Sequence, residues 1–337
     1  MAKVLIIRFK PIKSFMQSVP SFAAIRKHHE NDEISILTEK SLIRFCKKSG
    51  FFNKVWLDSK PLWFEPRGII DIVKRLKRGN FDFVYDLDNS ARSEWYFRLI
   101  GRKKPKWNSS IIDWCSHPYI EESKDVLHFQ DTLQNQLAVA GITKVPDIDL
   151  SFMEKPNVRE HLPQNYVMIC AAGDKEKLSH KWDAFAYAET IDRLEADYNL
   201  KSVLVGDDND DYWLNEYVID KCVTAKPINF SGKTTLRGLI SVANGSKFCL
   251  GNETSPTHIA AYSNCKTIML CSRFSPPELL APRVKNLAVI EEGSLKNLSV
   301  ERVFEAIEEF GLKTYSDTPY KVMGETKAAP PEADFER

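Results

Sequence analysis

The sequence predicts an α/β protein made of two doubly wound, Rossmann-like halves that face a central cleft. Short apolar segments of strand length alternate with amphipathic segments of helix length, which is typical of parallel sheets covered by helices on both faces. This alternation occurs twice, and a length of 337 residues also favours two domains over one. Because ligands of such folds bind at the carboxyl ends of the strands, we expect the site in the crevice between the halves.

In the first half, four strand-like runs alternate with four helix-like runs. The first strand is a short apolar run, and the second shows the alternation of a half-buried strand. The predicted strands are residues 3–8, 33–38, 54–57 and 81–87. The predicted helices are residues 21–29, which follow Pro20, and residues 40–49, 69–78 and 93–100.

The second half repeats this order after a less regular connection. Residues 105–156 show no sustained period except for a helix near 131–140, and we interpret the later part as the link between domains. The next predicted strands are residues 166–170, 202–205, 248–250 and 267–270. The helices are residues 184–198, 212–222, 235–243, one that ends at Tyr262, and 299–310. These elements predict domains over 1–155 and 156–315 and a tail over 316–337, disordered at its Ala- and Pro-rich end.

Composition excludes several classes of protein. The chain is 43% hydrophobic and 28% charged, and no run approaches the ~20 apolar residues of a membrane span. The apolar run Val4-Leu5-Ile6-Ile7 is too short for a signal peptide, so we expect a cytoplasmic protein. The seven cysteines are scattered without a C-x-x-C pair, which indicates buried thiols rather than disulfides. We expect no metal site.

Charge is unevenly distributed along the chain. Residues 1–106 contain 23 Lys and Arg against 11 Asp and Glu, a net charge of +12, whereas the other 231 residues carry 24 and 35, a net charge of −11. This asymmetry suggests an anionic partner for the first half, namely a membrane surface or a phosphorylated lipid. No recognition motif for nucleic acid accompanies the charge. The alternative for any single cluster, such as residues 74–78, is a solvated helix face.

The stretch from Gly251 to His258 is the most informative part of the chain. It follows an apolar strand and leads through small and hydroxyl residues into a helix, an arrangement that leaves backbone N–H groups free to hold a phosphate. Glu253 is suited to accept from sugar hydroxyls, and Thr254, Ser255 and His258 add donors. The alternative is an ordinary turn in which Thr254 or Ser255 caps the helix and Pro256 starts it. The chain lacks G-x-G-x-x-G, P-loop and G-x-S-x-G motifs.

Several segments, in order, resemble a known family. Ser231-Gly232-Lys233-Thr234-Thr235-Leu236-Arg237 and the later residues 252–261 are similar to the G-K-T-S-L and N-D-T-G-P-x-H-x-A-A stretches of the ADP-heptose:lipopolysaccharide heptosyltransferases. Upstream, residues 5–8, 19–26, 86–96, 107, 116–118, 181–186 and 203–206 also resemble that family. The resemblance covers nearly the whole chain. These heptosyltransferases form glycosyltransferase family 9.

The resemblance implies a GT-B architecture and a transferase reaction. It implies a C-terminal half that binds a nucleotide-sugar and an N-terminal half that binds a phosphorylated lipid acceptor, peripherally, at the inner face of the inner membrane. The implied transfer is inverting and metal-independent, with an ADP-sugar as substrate and no cofactor. A carboxylate deprotonates the acceptor hydroxyl, and stabilisation of the leaving diphosphate is a major catalytic effect.

Site residues carried over from the resemblance fall into three groups. The donor nucleotide-sugar is expected to contact His180, Lys181, Asp210, Thr234, Glu253, Thr254, Ser255 and His258. The acceptor phosphate is expected near Lys10 and Lys13. Ser14 occupies the position of the family's catalytic carboxylate, and Asp88 or Asp86 is the candidate substitute base; the alternative is that these aspartates cap the turn and the next helix.

The chain departs from the family pattern where the chemistry is expected. Lys13-Ser14 stands in place of Gly-Asp, His180 in place of a lysine, Glu253 in place of Asp and Ser255 in place of Gly. A serine hydroxyl is a poor base at neutral pH, so we expect slow or absent turnover of ADP-heptose with a lipid A–Kdo acceptor.

One interpretation of the whole chain is an enzyme with a changed donor or acceptor. The alternative is a catalytically impaired paralogue that binds a nucleotide-sugar or a lipid head group in envelope assembly. A nucleotide-sugar epimerase is a third possibility, which the residue 252–261 motif disfavours.

Overall fold

The computed structural model describes residues 1–59, 66–101, 103–120, 127–147, 149–172, 181–206, 209–312 and 321–323. Its strands are β1 (Lys3–Ile7), β2 (Glu33–Thr38), β3 (Lys54–Leu57), β4 (Phe83–Asp86), β5 (Lys106–Ser109), β6 (His117–Pro118), β7 (Tyr166–Cys170), β8 (Lys201–Leu204), β9 (Ile228–Asn229), β10 (Cys249–Asn252), β11 (Thr267–Ser272), β12 (Leu287–Glu292) and β13 (Lys321–Met323). Its helices are α1 (Ile12–Met16), α2 (Val19–His28), α3 (Ile43–Lys48), α4 (Pro66–Gly79), α5 (Ala91–Leu99), α6 (Phe129–Val139), α7 (Ala184–Tyr198), α8 (Asn209–Lys221), α9 (Leu236–Gly245), α10 (Ser255–Tyr262), α11 (Pro277–Leu280) and α12 (Val300–Ala306). Short 3-10 helices cover Lys40–Leu42, Ser151–Met153, Pro156–His161 and Leu295–Asn297, and a π-helical turn covers Ile307–Gly311.

The described strands form two sheets in which the pairings are parallel. The first has the order β3-β2-β1-β4-β5-β6 and the second has the order β13-β12-β11-β10-β7-β8-β9. The strand order reverses between β1 and β4 in the first sheet and between β10 and β7 in the second. Such reversal points open a crevice at the carboxyl ends of the strands. The predicted α/β class with two doubly wound halves is therefore confirmed.

The strand β1 shows why both faces of the first sheet are covered. Its sequence KVLII has four buried residues in a row, the pattern of a strand inside a parallel sheet. Because successive side chains point to opposite faces, Val4 and Ile6 pack in the cluster that includes α2 and α3, whereas Leu5 and Ile7 pack in the cluster that includes α4 and α5. Burial on both faces fixes β1 and thus the loop that follows it.

Some predicted elements need correction. Residues 105–156 were expected to be irregular apart from one helix, but β5 and β6 lie there and extend the first sheet. These strands have four and two residues and carry polar side chains, so no apolar run marks them. The strands β9, β12 and β13 and the helices α1 and α11 were not predicted. The helix predicted to follow Pro20 begins at Val19, because a proline is tolerated in the first turn, where its missing N–H has no intrahelical partner.

The two sheets lie on either side of the boundary predicted near residue 155. The segment before β7 is attached to the second half: the amide of Leu150 donates to the carbonyl of Tyr262 at 2.7 Å, and Arg237 donates to the carbonyls of Met153 and Glu154, both at 2.9 Å. The domain limits stay a prediction. The strand β13 lies in the predicted tail 316–337, and the Ala- and Pro-rich end of that tail lies outside the described residues.

Direct contacts join the two halves beside the cleft. The side-chain amide of Gln17 donates to the carbonyl of Leu280 at 2.9 Å, and Nε2 of His128 lies 2.8 Å from the carbonyl oxygen of Ala281. Nearby, Arg283 makes a bidentate ion pair with Asp131 of α6. Among the described residues, no helix combines the length and apolar character that crossing a bilayer requires.

Candidate functional site

The side chain of Asn252 ties the loops of the second half together where the strand order reverses. It is buried at the end of β10, and its amide nitrogen donates to the carbonyls of Ala171 and Ala172 at 2.9 and 3.0 Å. Its oxygen accepts from the backbone N–H of Trp182 at 3.2 Å and from the hydroxyl of Tyr187 at 3.1 Å. One side chain therefore fixes the exit of β7, the approach to α7 and the start of the β10–α10 turn.

Close packing of strands sets the position of this turn. A β-carbon added at Gly251 would lie 2.4 Å from Cβ of Cys170 on the neighbouring strand β7. Only glycine permits this approach, because real Cβ atoms do not come so close. Gly251 therefore belongs to the framework of the site rather than to its ligand contacts.

The amino end of α10 keeps its backbone donors uncapped. Thr254 is the N-cap residue in extended conformation, as the ordinary-turn alternative expected, but its side chain makes no capping hydrogen bond. Instead, its hydroxyl lies 3.1 Å from that of Thr257, which donates to the carbonyl of Asn252 at 2.7 Å. The N–H groups of a first helical turn have no intrahelical partner, and the helix dipole makes this end positive. The turn therefore presents a positive helix end, with Ser255 in its first turn, whose chemistry suits an anion.

Glu253 lies beside this helix end and contacts two other charged or polar side chains. Its side chain is 7% exposed; Oε1 lies 2.6 Å from Nε2 of His258, and Oε2 lies 3.0 Å from Nζ of Lys13. Burial acts to raise the pKa of Glu253, but the contacts with His258 and Lys13 outweigh it, so this pKa lies below its ordinary value. Glu253 is therefore a carboxylate at neutral pH, suited to accept hydrogen bonds rather than protons.

The ion pair between Lys13 and Glu253 crosses the cleft between the halves. Lys13 lies on α1, directly after β1, whereas Glu253 and His258 belong to the second half. His258 is fully buried, and its Nδ1 has no hydrogen-bond partner among the described residues. Lys13 was expected near an acceptor phosphate, and that role stays a prediction; in the structure its ammonium group contacts Glu253 of the predicted donor loop.

The loop that carries Ser14 is fixed by a buried arginine. Arg8 is 1% exposed; Nη2 donates to the carbonyl of Ser14 and Nη1 to the carbonyl of Leu87, both at 2.6 Å. Its guanidinium also lies over the ring of Phe129, 4.9 Å from the centroid. Burial lowers the pKa of Arg8 to about 10, against the opposing effect of Asp88 and Asp86, so Arg8 stays charged at neutral pH. The half-buried Ser14 is thereby held next to the end of β4.

The two aspartates after β4 have different surroundings. Asp86 is fully buried and accepts from the backbone N–H of Asn89 at 3.0 Å, so it caps the turn as the alternative expected; burial raises its pKa to about 7. Asp88 is 2% exposed and accepts from the backbone N–H of Phe9 at 2.9 Å, and its Oδ2 has no hydrogen-bond partner among the described residues. The helix α5 is capped by Ser90, not by either aspartate.

The other predicted residues differ in their burial and in the elements that carry them. Lys10 is half-buried in the loop between β1 and α1, and Lys181 is half-buried directly before the buried Trp182. Thr234 is half-buried ahead of the N-cap of α9, and Asp210 is exposed in the first turn of α8. His180 lies outside the described residues.

The structure brings some site residues together that the sequence did not pair. Lys13 with Glu253 and His258 form one cluster, and Thr254 and Ser255 adjoin it at the start of α10. Arg8 was not predicted, although an arginine that directly follows a buried apolar strand is a signal for a buried, paired charge. The anchoring role of Asn252 was not predicted either, because its partners come from three separate segments.

Comparison with known proteins gives consistent matches. The profile of glycosyltransferase family 9 (heptosyltransferase) matches residues 69–307. The sequence is 20% identical over 272 residues to lipopolysaccharide heptosyltransferase 3 of Escherichia coli, covering 75% of this chain and 78% of that protein.

The fold also matches solved structures. A family 9 glycosyl transferase from Veillonella parvula superposes with a TM-score of 0.81 at 16% identity, covering 93% of this chain and 98% of the other. The E. coli ADP-heptose LPS heptosyltransferase II gives a TM-score of 0.76 at 18% identity, covering 92% and 98%. These likenesses show a shared GT-B-type fold of two Rossmann-like domains. Because the family match spans well over half of the chain, the protein belongs to glycosyltransferase family 9 and is a glycosyltransferase.

Proposed function

We propose that the protein transfers a heptose-like sugar from an ADP-sugar to a lipopolysaccharide-core or related phosphorylated lipid acceptor. The observation that carries this proposal is the uncapped start of α10 beside the Glu253–His258 pair, because it combines an anion site with a hydroxyl acceptor. The names of the E. coli relatives, lipopolysaccharide heptosyltransferase 3 and ADP-heptose LPS heptosyltransferase II, support the choice of donor and acceptor.

The donor diphosphate is proposed to lie at the amino end of α10. The free N–H groups of the first turn would donate to phosphate oxygens, and Lys13 would offset the negative charge of Glu253 next to them. Glu253 would accept from a hydroxyl of the sugar or the ribose. The remaining proposed donor contacts are those expected from the sequence: His180, Lys181, Asp210, Thr234, Thr254, Ser255 and His258.

Departure of the diphosphate is proposed to need no metal ion. Negative charge grows on the leaving diphosphate during transfer, and preoriented donors stabilise such charge best. The helix end and the ammonium group of Lys13 both lie next to Glu253 and supply that positive potential. Transfer with inversion then requires the acceptor hydroxyl to attack from the side opposite to the diphosphate.

The base proposed for this attack is Asp88. The hydroxyl of Ser14 has too high a pKa to serve at neutral pH, and general-base assistance is typically worth about 10²–10⁴-fold in rate. Asp88 follows the strand next to β1, and Arg8 fixes its neighbour Leu87 to Ser14. The oxygen Oδ2 of Asp88 is buried and has no hydrogen-bond partner among the described residues, so no group among them competes with an acceptor hydroxyl that reaches it.

The acceptor is proposed to enter from the N-terminal half, near Lys10. The net charge of +12 over residues 1–106 suits a phosphorylated lipid, and we place the enzyme in the cytoplasm, peripherally bound to the inner face of the inner membrane.

Calorimetric titration with ADP-heptose, ADP and UDP-sugars, in the presence of EDTA, tests the donor site. We expect saturable binding of ADP-heptose or another ADP-sugar and no binding of UDP-sugars. Absence of binding by all of them would refute the proposed site. Binding without transfer to a lipid A–Kdo acceptor would support the impaired-paralogue alternative, and a fast transfer to that acceptor would contradict the expected effect of Ser14.

A further inference from the structure

We propose that the outer face of α4 and α5 docks on an anionic phospholipid bilayer. This surface, called the α4–α5 face below, consists of the exposed side chains of these two helices and of the segment 103–114. The proposal specifies which surface meets the membrane, and it rests on the proposed function only for the direction from which the acceptor arrives. It does not depend on how the donor is bound.

Both helices cover the same side of the first sheet. Their inward side chains pack in one core cluster with Leu5 and Ile7 of β1. The helix α4 contributes Ile72 and Leu76, and α5 contributes Tyr96 and Phe97. The helices α2 and α3 pack on the opposite side of the sheet, in a different cluster. The outward side chains of α4 and α5 therefore point away from the sheet in a common direction.

The α4 part of this face is strongly cationic. Arg67, Lys74, Lys77 and Arg78 are exposed, and none of them makes an ion pair with another described residue. Residues 67, 74 and 78 follow each other at helical spacing and form one stripe. A groove of about 520 Å³ is lined by the cations Lys74, Arg75 and Arg78 on this helix and by one acidic residue, Asp71, so its charge is net positive. Three cations around one groove suit the phosphodiester of a lipid head group.

Exposed apolar side chains surround these charges. Trp95 is 62% exposed on the outer side of α5, and Trp114 is 53% exposed beyond it. The ring of Trp114 is held against Phe97 with centroids 4.6 Å apart, and the ammonium group of Lys104 lies 5.4 Å from the Trp114 ring. Further exposed apolar residues of this face are Ile70, Leu99 and Ile111. Tryptophan beside lysine is typical of groups that lie at the membrane–water interface.

A bilayer fits this combination better than a protein or a nucleic acid does. A protein interface would concentrate its apolar residues at a centre that lacks charge, whereas here cations and apolar groups are interspersed along two helices. The opposite net charges of the two parts of the chain, +12 and −11, would orient the N-terminal half toward an anionic surface. The helix α5 starts three residues after Asp88, so a docked α4–α5 face borders the end of β4 where the acceptor is proposed to react.

Vesicle cosedimentation of the full chain tests the proposal. We expect binding to phosphatidylcholine vesicles that contain phosphatidylglycerol, little binding to phosphatidylcholine alone, and loss of binding at about 0.5 M salt, because screening shortens the reach of surface charge. The variant Lys74→Glu/Lys77→Glu/Arg78→Glu should lower the partition coefficient by at least about 100-fold, since each lost cation contributes about fivefold near an anionic membrane and each introduced carboxylate adds repulsion. The matched control is Arg44→Glu/Lys47→Glu/Lys48→Glu on α3, which makes the same change of net charge on the opposite side of the sheet.

Tryptophan fluorescence in vesicles with brominated acyl chains reports on the apolar anchors. We expect quenching in the unaltered chain and its loss in Trp95→Phe/Trp114→Phe, while binding to anionic vesicles persists. Equal loss of binding in the α4 and α3 triple variants would overturn the proposal, as would a failure of the unaltered chain to bind anionic vesicles. Donor titration by calorimetry is carried out without lipid, so failure of the docking surface is distinguishable from failure of the proposed function.

Discussion

Replacing Lys13 with methionine tests whether the cross-cleft ion pair serves donor binding. Lys13 Nζ lies 3.0 Å from Glu253 Oε2, with side chains 32% and 7% exposed. At this distance an effective dielectric of about 20 gives an attraction of roughly 5 kcal/mol, most of which desolvation offsets. Hydrogen bonds to charged groups contribute about 1.5–3 kcal/mol net, so losing one from Lys13 to a diphosphate should raise the donor Kd by roughly 10–100-fold.

Calorimetry with ADP and with ADP-heptose separates the roles of the two partners. Lys13→Met should weaken both ligands, since both carry the diphosphate. Glu253→Gln replaces one of two acceptor oxygens and removes negative charge near the phosphates. It should weaken ADP-heptose more than ADP where the lost acceptor serves a heptose hydroxyl, and both ligands alike where it serves the ribose, which ADP also carries. The double variant shows whether the two effects are coupled. Lys27→Met, an exposed lysine at the end of α2, is the matched control and should bind both ligands as the unaltered chain does. An ADP Kd within twofold of the original for Lys13→Met would refute the reasoning.

Three further variants address the base, the scaffold and a buried carboxyl. Asp88→Asn should abolish transfer while calorimetry shows unchanged donor affinity; unchanged turnover would dismiss Asp88 as the base. Asn252→Ala should lower the free energy of unfolding in urea by about 2–4 kcal/mol, because four buried hydrogen bonds lose their partner, and a loss below about 0.5 kcal/mol would contradict that role. The pKa of Asp86 is raised to about 7 by burial, so its folded form binds the proton more tightly than the unfolded chain and stability falls as pH rises between about 4 and 7. This fall should be smaller in Asp86→Asn, and identical pH profiles from urea unfolding would contradict the assignment.

Much of the fold follows from local patterns, and the omissions have physical causes. Strands such as β7 and β11 are buried on both faces, so their apolar runs mark them in the sequence. The strands β5, β6 and β9 are short, and their place in the sheets depends on neighbours that are distant in the sequence. The strand β12 is different, because its apolar run LAVI is itself typical of a buried strand although the strand was not predicted.

The candidate site was predictable only within each half. Glu253 and His258 lie in one strand–turn–helix unit, so the sequence placed them near one helix end. The contact of Lys13 with Glu253 joins residues that are 240 positions apart and depends on how the halves face each other. No local pattern encodes that arrangement, so the contact of Lys13 with the predicted donor loop could not be predicted from the sequence.

The unusual residues after β1 form a consistent electrostatic arrangement. Lys13 supplies a cation beside Glu253, and the buried Arg8 donates to the carbonyl of Ser14. Arg8 also interacts electrostatically with Asp88 and Asp86, which oppose the lowering of its pKa by burial. Asp88 keeps one oxygen, Oδ2, without a hydrogen-bond partner among the described residues. Under the proposed function, the cation that stabilises the leaving group comes from the loop after β1, and the base comes from the end of β4. Arg8 holds these two segments together through the carbonyls of Ser14 and Leu87, so the geometry of both roles depends on one buried side chain.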